Sequence, residues 1–246
     1  MRVVSLRQAV YWLHPRRWPE LGRRVRAARH GERWAGSSAL LRPNDGRLHR
    51  LHGAELRAAE ARVEAAGYPV GGAANLDMLF ALASRLTNPC FDPRARGTVV
   101  ETGVASGWSS LALLLALQQS GGQLWSTDLP YPYLDPSGEW VGVAVPEHLR
   151  GGWHLVRGND RDVLPGILRR CGPVDLAHYD SDKSAEGARW AYELLWDALR
   201  PGGILMADDV GDHVAFREFA RSRTLEPEVY RDGSKFQGLL TKPADN

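Results

Sequence analysis

The sequence predicts an α/β protein: a mostly parallel sheet of seven strands with helices on both faces, preceded by a helical extension. Three observations carry that reading. From Gly97 onward, short β-branched or apolar runs alternate with longer helical stretches, the order that builds a parallel sheet from crossover units. A glycine-containing turn joins the first of these strands to the helix after it. The first 95 residues are basic and helical in pattern, unlike the acidic remainder.

The elements follow in order. Residues 1–50 are rich in Arg, Trp and Pro and read as short helices and loops. Residues 53–66 alternate Glu, Arg and Ala with apolar positions, which predicts a helix, and Gly67 is its stop. Leu76–Leu86 is a second helix with Asn75 as its N-cap. Strands are expected over Thr98–Thr102, Gln123–Thr127, Trp153–Arg157, Val174–Tyr179, Gly203–Ala207, Glu228–Arg231 and Phe236–Thr241. Helices are expected over Ser109–Gln119, Asp160–Arg170, Ala185–Leu199 and His213–Ser222. The connection from Asp128 to Arg150 is long for a compact domain and carries Tyr131, Tyr133, Trp140 and four prolines. Connections of that kind serve as lids or binding loops.

Composition narrows the function classes. A chain of 246 residues holds one sizeable α/β domain plus an extension, here 1–95 and 96–246. The net charge of +2 divides into +8 for residues 1–95 and −6 for the rest. A basic segment suits nucleic acid, a phosphorylated ligand or docking on an acidic domain, and docking is the favoured reading. Arg16, Arg17, Trp18, Arg33 and Trp34 keep an RNA-binding alternative open, although no nucleic-acid module is recognisable. The longest apolar run, Leu111–Leu117, has seven residues, against about 20 for a membrane span. Cys90 and Cys171 are the two cysteines and form neither a metal-spaced pair nor a disulfide framework. No export signal is legible, so the cytoplasm is expected. Homo-oligomerisation is left open.

Chemistry concentrates in three places. Val99 to Ser109 reads strand, turn, helix, with Gly103 and Gly107 in the turn. Glycine there lets a ligand approach the backbone, and the helix start offers free N–H groups. The spacing is G-x-x-x-G, which is not the dinucleotide fingerprint and argues against NAD. Asp128 ends the next strand, 25 residues after Gly103, where an acid reaches ribose hydroxyls in a doubly wound sheet. Tyr179-Asp180-Ser181-Asp182-Lys183 and Ala207-Asp208-Asp209 end two further strands, which puts several carboxylates at neighbouring strand ends.

On these residues the chain resembles the class I S-adenosylmethionine-dependent methyltransferases, a Rossmann-like superfamily. Glu101-Thr102-Gly103-Val104-Ala105-Ser106-Gly107 is similar to its first motif, and Asp128 to its ribose-binding acid. Gly158-Asn159-Asp160 stands where the superfamily contacts adenine, and Pro201-Gly202-Gly203 is similar to its turn before the fifth strand. The resemblance implies cofactor contacts at Glu101, Gly103, Ala105, Gly107, Asp128, Asn159, Asp160 and Asp180. Within the superfamily the chain resembles the metal-dependent O-methyltransferases of the catechol, caffeoyl-CoA and sugar type. That implies Mg²⁺ or Mn²⁺ on Asp180, Asp208 and Asp209, a small-molecule hydroxyl as acceptor, and Lys183 as general base. Hard cations take oxygen ligands, and a coordinated hydroxyl loses its proton more readily. Asp182 is read as a helix cap, His178 and His213 as reserve bases, and Tyr131, Tyr133 and Trp140 as a substrate lid. A metal-independent N- or O-methyltransferase is the alternative enzyme reading.

Overall fold

The computed structural model describes residues 18–41, 46–67, 71–72, 75–129, 138–232 and 235–244. Its strands are β1 (Ala39–Leu41), β2 (Thr98–Thr102), β3 (Gln123–Asp128), β4 (Trp153–Arg157), β5 (Val174–Tyr179), β6 (Leu199–Ala207), β7 (Glu228–Asp232) and β8 (Lys235–Thr241). They form one sheet in the order β1-β7-β8-β6-β5-β2-β3-β4. Only β8 runs antiparallel to its neighbours, β6 and β7. The seven expected strands are all present. The eighth, β1, comes from the extension and pairs in parallel with β7. Its three residues, Ala-Leu-Leu, show neither alternation nor β-branching, so nothing local announced it. Residues 18–38, expected as short pieces, form one helix, α1 (Trp18–Ser38).

The other helices are α2 (Arg47–Ala66), α3 (Leu76–Leu86), α4 (Trp108–Leu117), α5 (Asp160–Cys171), α6 (Ala185–Ala198) and α7 (Ala215–Ser222). Helix α2 stops at Gly67, whose left-handed backbone lets its N–H donate to the Glu64 carbonyl at 3.0 Å.

Burial explains why the central strands read as continuous runs. Every residue of β2 and β5 is buried, as expected where helices cover both faces. Val99, Leu124, Leu176 and Met206 face a core with Leu79, Phe80, Leu111 and Leu115 of α3 and α4. The next residues along, Val100, Ala177, Leu205 and Ala207, face Tyr192, Leu195, Trp196 and Phe216 of α6 and α7. Helix α4 is apolar all round, with Leu111–Leu117 buried, because α3 covers the side turned away from the sheet. Each such leucine contributes about 1.5–3 kcal/mol.

At the N-terminal end of the strands a buried ion pair ties the extension to the sheet. Arg200 Nε donates to Asp175, and Arg200 Nη2 lies 2.9 Å from Asp92 and donates to the Leu86 carbonyl at 3.1 Å. Asp175 also accepts from the backbone N–H groups of Arg96 and Thr98.

The other end of the sheet carries the site. The chain leaves β2 toward β3 and β4, then crosses back to β5 on the opposite side. Such a reversal opens a crevice outside the C-terminal strand ends. No helix among the described residues is long and apolar enough to cross a membrane.

Candidate functional site

The turn after β2 is held from below and from the side. Glu101 is fully buried. Its Oε2 accepts from Ser110 Oγ at 2.6 Å and Ser126 Oγ at 2.9 Å, which joins β2 to α4 and β3. Glu101 therefore supports the turn from beneath. Asp128 Oδ2 accepts from the N–H groups of Val104 and Ala105, both at 2.8 Å. Burial pushes the Asp128 carboxyl above its ordinary value, ahead of the two amide bonds that lower it. Gly103 has φ 82, and a Cβ there would lie 2.4 Å from the Asp180 carbonyl oxygen. Only glycine allows the turn and the end of β5 to touch in this way. Ala105, at φ 48, accepts from Gly142 N–H at 2.8 Å, and Ser106 accepts from Ala144 N–H at 2.8 Å. The C-terminal part of the connection that holds the expected lid is thus laid along the turn. Trp140 belongs to that segment; Tyr131 and Tyr133 lie outside the described residues.

Beyond β4, Gly158 N–H donates to the Asp128 carbonyl at 2.8 Å. Asn159 is the N-cap of α5, its side chain accepting from Arg161 N–H. Asp160 Oδ1 accepts from Thr127 Oγ1 at 2.5 Å. Gly107 is the N-cap residue of α4. Of the residues expected to contact a cofactor, Gly103, Ala105, Gly107, Asp128, Asn159 and Asp160 therefore lie along the ends of β2, β3 and β4, whereas Glu101 is buried beneath the turn and Asp180 follows β5.

The acids after β5 and β6 form a charged cluster beside that rim. Lys183 Nζ donates to Asp180 and stands 3.1 Å from Asp209 Oδ2. Lys235 Nζ lies 3.4 Å from Asp209 Oδ1. Asn75 Nδ2 donates to both Asp208 oxygens, at 3.2 and 3.4 Å. His178 is buried between Asp208 and Glu101, at 3.9 and 3.7 Å. Those contacts are longer than hydrogen bonds, and neither imidazole nitrogen has a hydrogen-bond partner. Burial alone would depress His178, but the two carboxylates outweigh it and push it up to about 10.

The same competition sets Lys183 and Asp180. Burial would lower the lysine, yet Asp180 and Asp209 outweigh it and raise it well above its ordinary value. Burial and the neighbouring Asp208 raise Asp180 to about 6, against the pull of Lys183. As arranged, Lys183 is an ammonium, which donates and does not accept a proton. His178 is likewise cationic. His213 is lowered by burial and by Arg189, and its Nδ1 accepts from Ala215 N–H at 3.4 Å. Asp182 accepts from Ser184 N–H and Oγ before α6, a turn role.

The chemistry of the donor set suits a hard divalent cation: three carboxylates at two adjacent strand ends. A cation already stands there, since Lys183 bridges Asp180 and Asp209. Among the described residues, however, no three acidic, imidazole or thiol groups are placed to hold a metal around one point. The carboxylates expected to ligate a metal are paired with cationic side chains in this structure.

Residues 100–210 match a family model described as a methyltransferase domain. A curated relative, O-methyltransferase ankF of Aspergillus thermomutatus, is 33% identical over 119 residues, 48% of this chain and 47% of that protein. The chain thus aligns with about half the length of the curated relative it matches. Among solved structures, an O-methyltransferase from Bacillus cereus in complex with SAH has a TM-score of 0.58 at 19% identity, covering 86% of this chain and 96% of that one. O-methyltransferase TomG of Streptomyces achromogenes, in complex with SAM, has a TM-score of 0.56 at 18% identity, covering 86% and 98%. At those identities the two structures establish the fold alone.

Three site residues, and Arg200 at the opposite end of the sheet, went unrecognised or were read differently in the sequence. Asn75 stands at the N-cap position of α3 but makes no side-chain cap bond; its amide is turned to Asp208 instead. Lys235 was not singled out, although lysine is rare enough here, at three residues, to flag each one. His178 was weighed as a base and lies buried between Asp208 and Glu101, whose carboxylates push it up to about 10 against its burial. Arg200 carried no motif at all.

Proposed function

We propose that this chain transfers a methyl group from S-adenosylmethionine to a hydroxyl oxygen of a small molecule. The sulfonium–methyl bond breaks as the oxygen–methyl bond forms. S-adenosylhomocysteine leaves, and the hydroxyl proton passes to a base. The observation that supports this reading best is the contact between the Gly103 turn and Asp180. It sets the cofactor rim against the charged cluster, so one bound methyl donor and one acceptor can share the crevice. Methyl transfer then needs chiefly in-line positioning.

The roles follow from the geometry. The Gly103–Gly107 turn and the start of α4 line the donor side, and Asp128 keeps that turn in shape by accepting from Val104 and Ala105. Asp180, Asp208 and Asp209 would hold Mg²⁺ or Mn²⁺, which when bound supplies Lewis acidity toward the acceptor oxygen. Lys183 is the base. Its amine is kept protonated by Asp180 and Asp209 while burial pulls the other way. Were those carboxylates neutralised, the pull of burial would act on the amine in the direction that makes it a base. The ion pairs of Lys183 also favour one alternative, a metal-independent transfer in which the ammonium stays and donates to the acceptor oxygen.

The test has two stages. Calorimetry should show S-adenosylhomocysteine binding and no NAD binding. A panel of catechols, sugars and polyketide alcohols should then yield O-methylated product. EDTA should remove that turnover and Mg²⁺ restore it; full turnover in EDTA selects the metal-independent form. NAD binding without any response to S-adenosylhomocysteine would end the proposal.

A further inference from the structure

We propose that Asn75, on the N-terminal extension, is a positioning residue that holds Asp208 in place for transfer. With Gly71 it straps the extension across both halves of the site. This rests on the methyltransferase reading above and assigns the extension a part in the site itself.

Asn75 is buried, at 1% exposure, and sits at φ 62. Asparagine tolerates that left-handed backbone better than other residues with a side chain. In a helix cap its side chain would accept from the first turn. Here it makes no such bond. It donates instead to Asp208, 133 residues away in sequence, touching both carboxylate oxygens. The backbone of Asp208 is fixed separately, its N–H donating to the Tyr179 carbonyl at 2.9 Å. Asn75 therefore governs where the carboxylate points.

Four residues earlier the same segment meets the cofactor turn. Gly71 has φ 87, and a Cβ on it would lie 2.7 Å from Ser106 Oγ and 3.3 Å from the Ala105 side chain. Behind the strap, Arg62 of α2 donates to the Ala144 carbonyl at 2.6 Å. Ala144 in turn lies on the turn through its N–H bond to Ser106. Three contacts thus run from the extension to the site, two on the cofactor side and one on the acid side.

The variants separate those sides. Asn75→Gly removes the amide yet keeps the left-handed backbone free of strain. Asn75→Asp keeps the shape but sets a carboxylate against Asp208. Gly71→Ala drives a methyl into Ser106. In the full chain saturated with S-adenosylhomocysteine, Asn75→Gly should raise amide hydrogen exchange over residues 205–210 by about fivefold or more, because a local hold is lost. S-adenosylhomocysteine affinity should stay within about threefold, since the donor side is untouched. In an Asp208→Asn background, Asn75→Gly should add nothing to that exchange. Gly71→Ala should instead weaken S-adenosylhomocysteine binding by about tenfold or more. With an acceptor from the hydroxyl panel, Asn75→Gly should lower kcat by about tenfold, the size of one charge-assisted hydrogen bond, and leave the acceptor KM unchanged. Asn75→Asp should lower it further. Unchanged exchange at 205–210 in a folded Asn75→Gly protein, or an acceptor KM that rises while kcat holds, would overturn the proposal. Failure of the wild type to bind S-adenosylhomocysteine would instead count against the methyltransferase reading, while the exchange comparison still decides whether Asn75 holds Asp208.

Discussion

Replacing Asp128 with alanine tests the cofactor rim at its anchor. The carboxylate accepts two backbone N–H bonds, from Val104 and Ala105, each 2.8 Å long. Hydrogen bonds to a charged group contribute about 1.5–3 kcal/mol each, so the turn loses about 3–6 kcal/mol of support. Val104 is buried, so its N–H is left without a partner or water. Ala105 holds φ 48, a conformation costing a non-glycine residue about 1–2 kcal/mol, and its bond to Asp128 is one of those keeping it there. Much of the loss should surface as cofactor affinity, because the ligand must rebuild the turn before it binds. At about 1.4 kcal/mol per tenfold, Asp128→Ala should weaken S-adenosylhomocysteine by about 10²–10⁴-fold in calorimetry. Asp128→Asn keeps an acceptor oxygen without its charge and should fall between the two. Circular dichroism and a melting curve check that each variant is folded. A folded Asp128→Ala protein binding S-adenosylhomocysteine within about threefold of wild type would refute the reasoning.

Three further outcomes are expected. Arg200→Met leaves buried Asp175 without its charge partner; it should cost about 3–5 kcal/mol of unfolding free energy in urea titration, the usual penalty for breaking a buried pair from one side. Lys183→Ala should lower kcat by about 10²–10⁴, the contribution of a positioned base, and Lys183→Arg should not restore it because a guanidinium keeps its protons; the check is steady-state product formation, and an unaffected kcat removes Lys183 from the chemistry. His178 is raised from 6.5 to about 10 in the folded chain, so the stability it contributes is complete below pH 6.5 and is lost as pH rises through about 10. The gap in melting temperature between wild type and His178→Gln should therefore narrow from pH 7 to pH 10, and a gap independent of pH would show that His178 carries no charge there.

The parts of this fold legible in the sequence are those fixed by short-range pattern. Runs such as Thr98–Thr102 and Val174–Tyr179 gave their strands without correction, because both faces of each are buried and the apolar signal is continuous. Gly103 stood out because a turn that tight, touching the end of β5, excludes any side chain. Strand β1 did not stand out, since three residues carry no period and their pairing with β7 is decided by packing. Asn75 was placed correctly at the start of α3 and given the wrong partner. A cap is a local bond, whereas its actual partner lies across the crevice. Lys183 shows the same limit in electrostatic form. The resemblance implied a base there, but burial, Asp180 and, from another strand end, Asp209 together set its protonation. The pairing of Arg200 with Asp175 and Asp92 was equally silent, because a buried ion pair has no sequence signature beyond the presence of both charges.

The central claim is that the crevice between the Gly103 turn and the Asp180–Asp209 cluster moves a methyl group from S-adenosylmethionine to oxygen. Its most direct measurement uses S-adenosylmethionine labelled in the sulfonium methyl, the full chain, Mg²⁺ and the panel of hydroxyl compounds, read by mass spectrometry and NMR of the product. The account predicts label on an oxygen of one compound class, formed together with S-adenosylhomocysteine, with transfer abolished by Gly103→Ala. Label found on nitrogen or carbon, or S-adenosylmethionine bound tightly and never consumed with any hydroxyl acceptor, would contradict it.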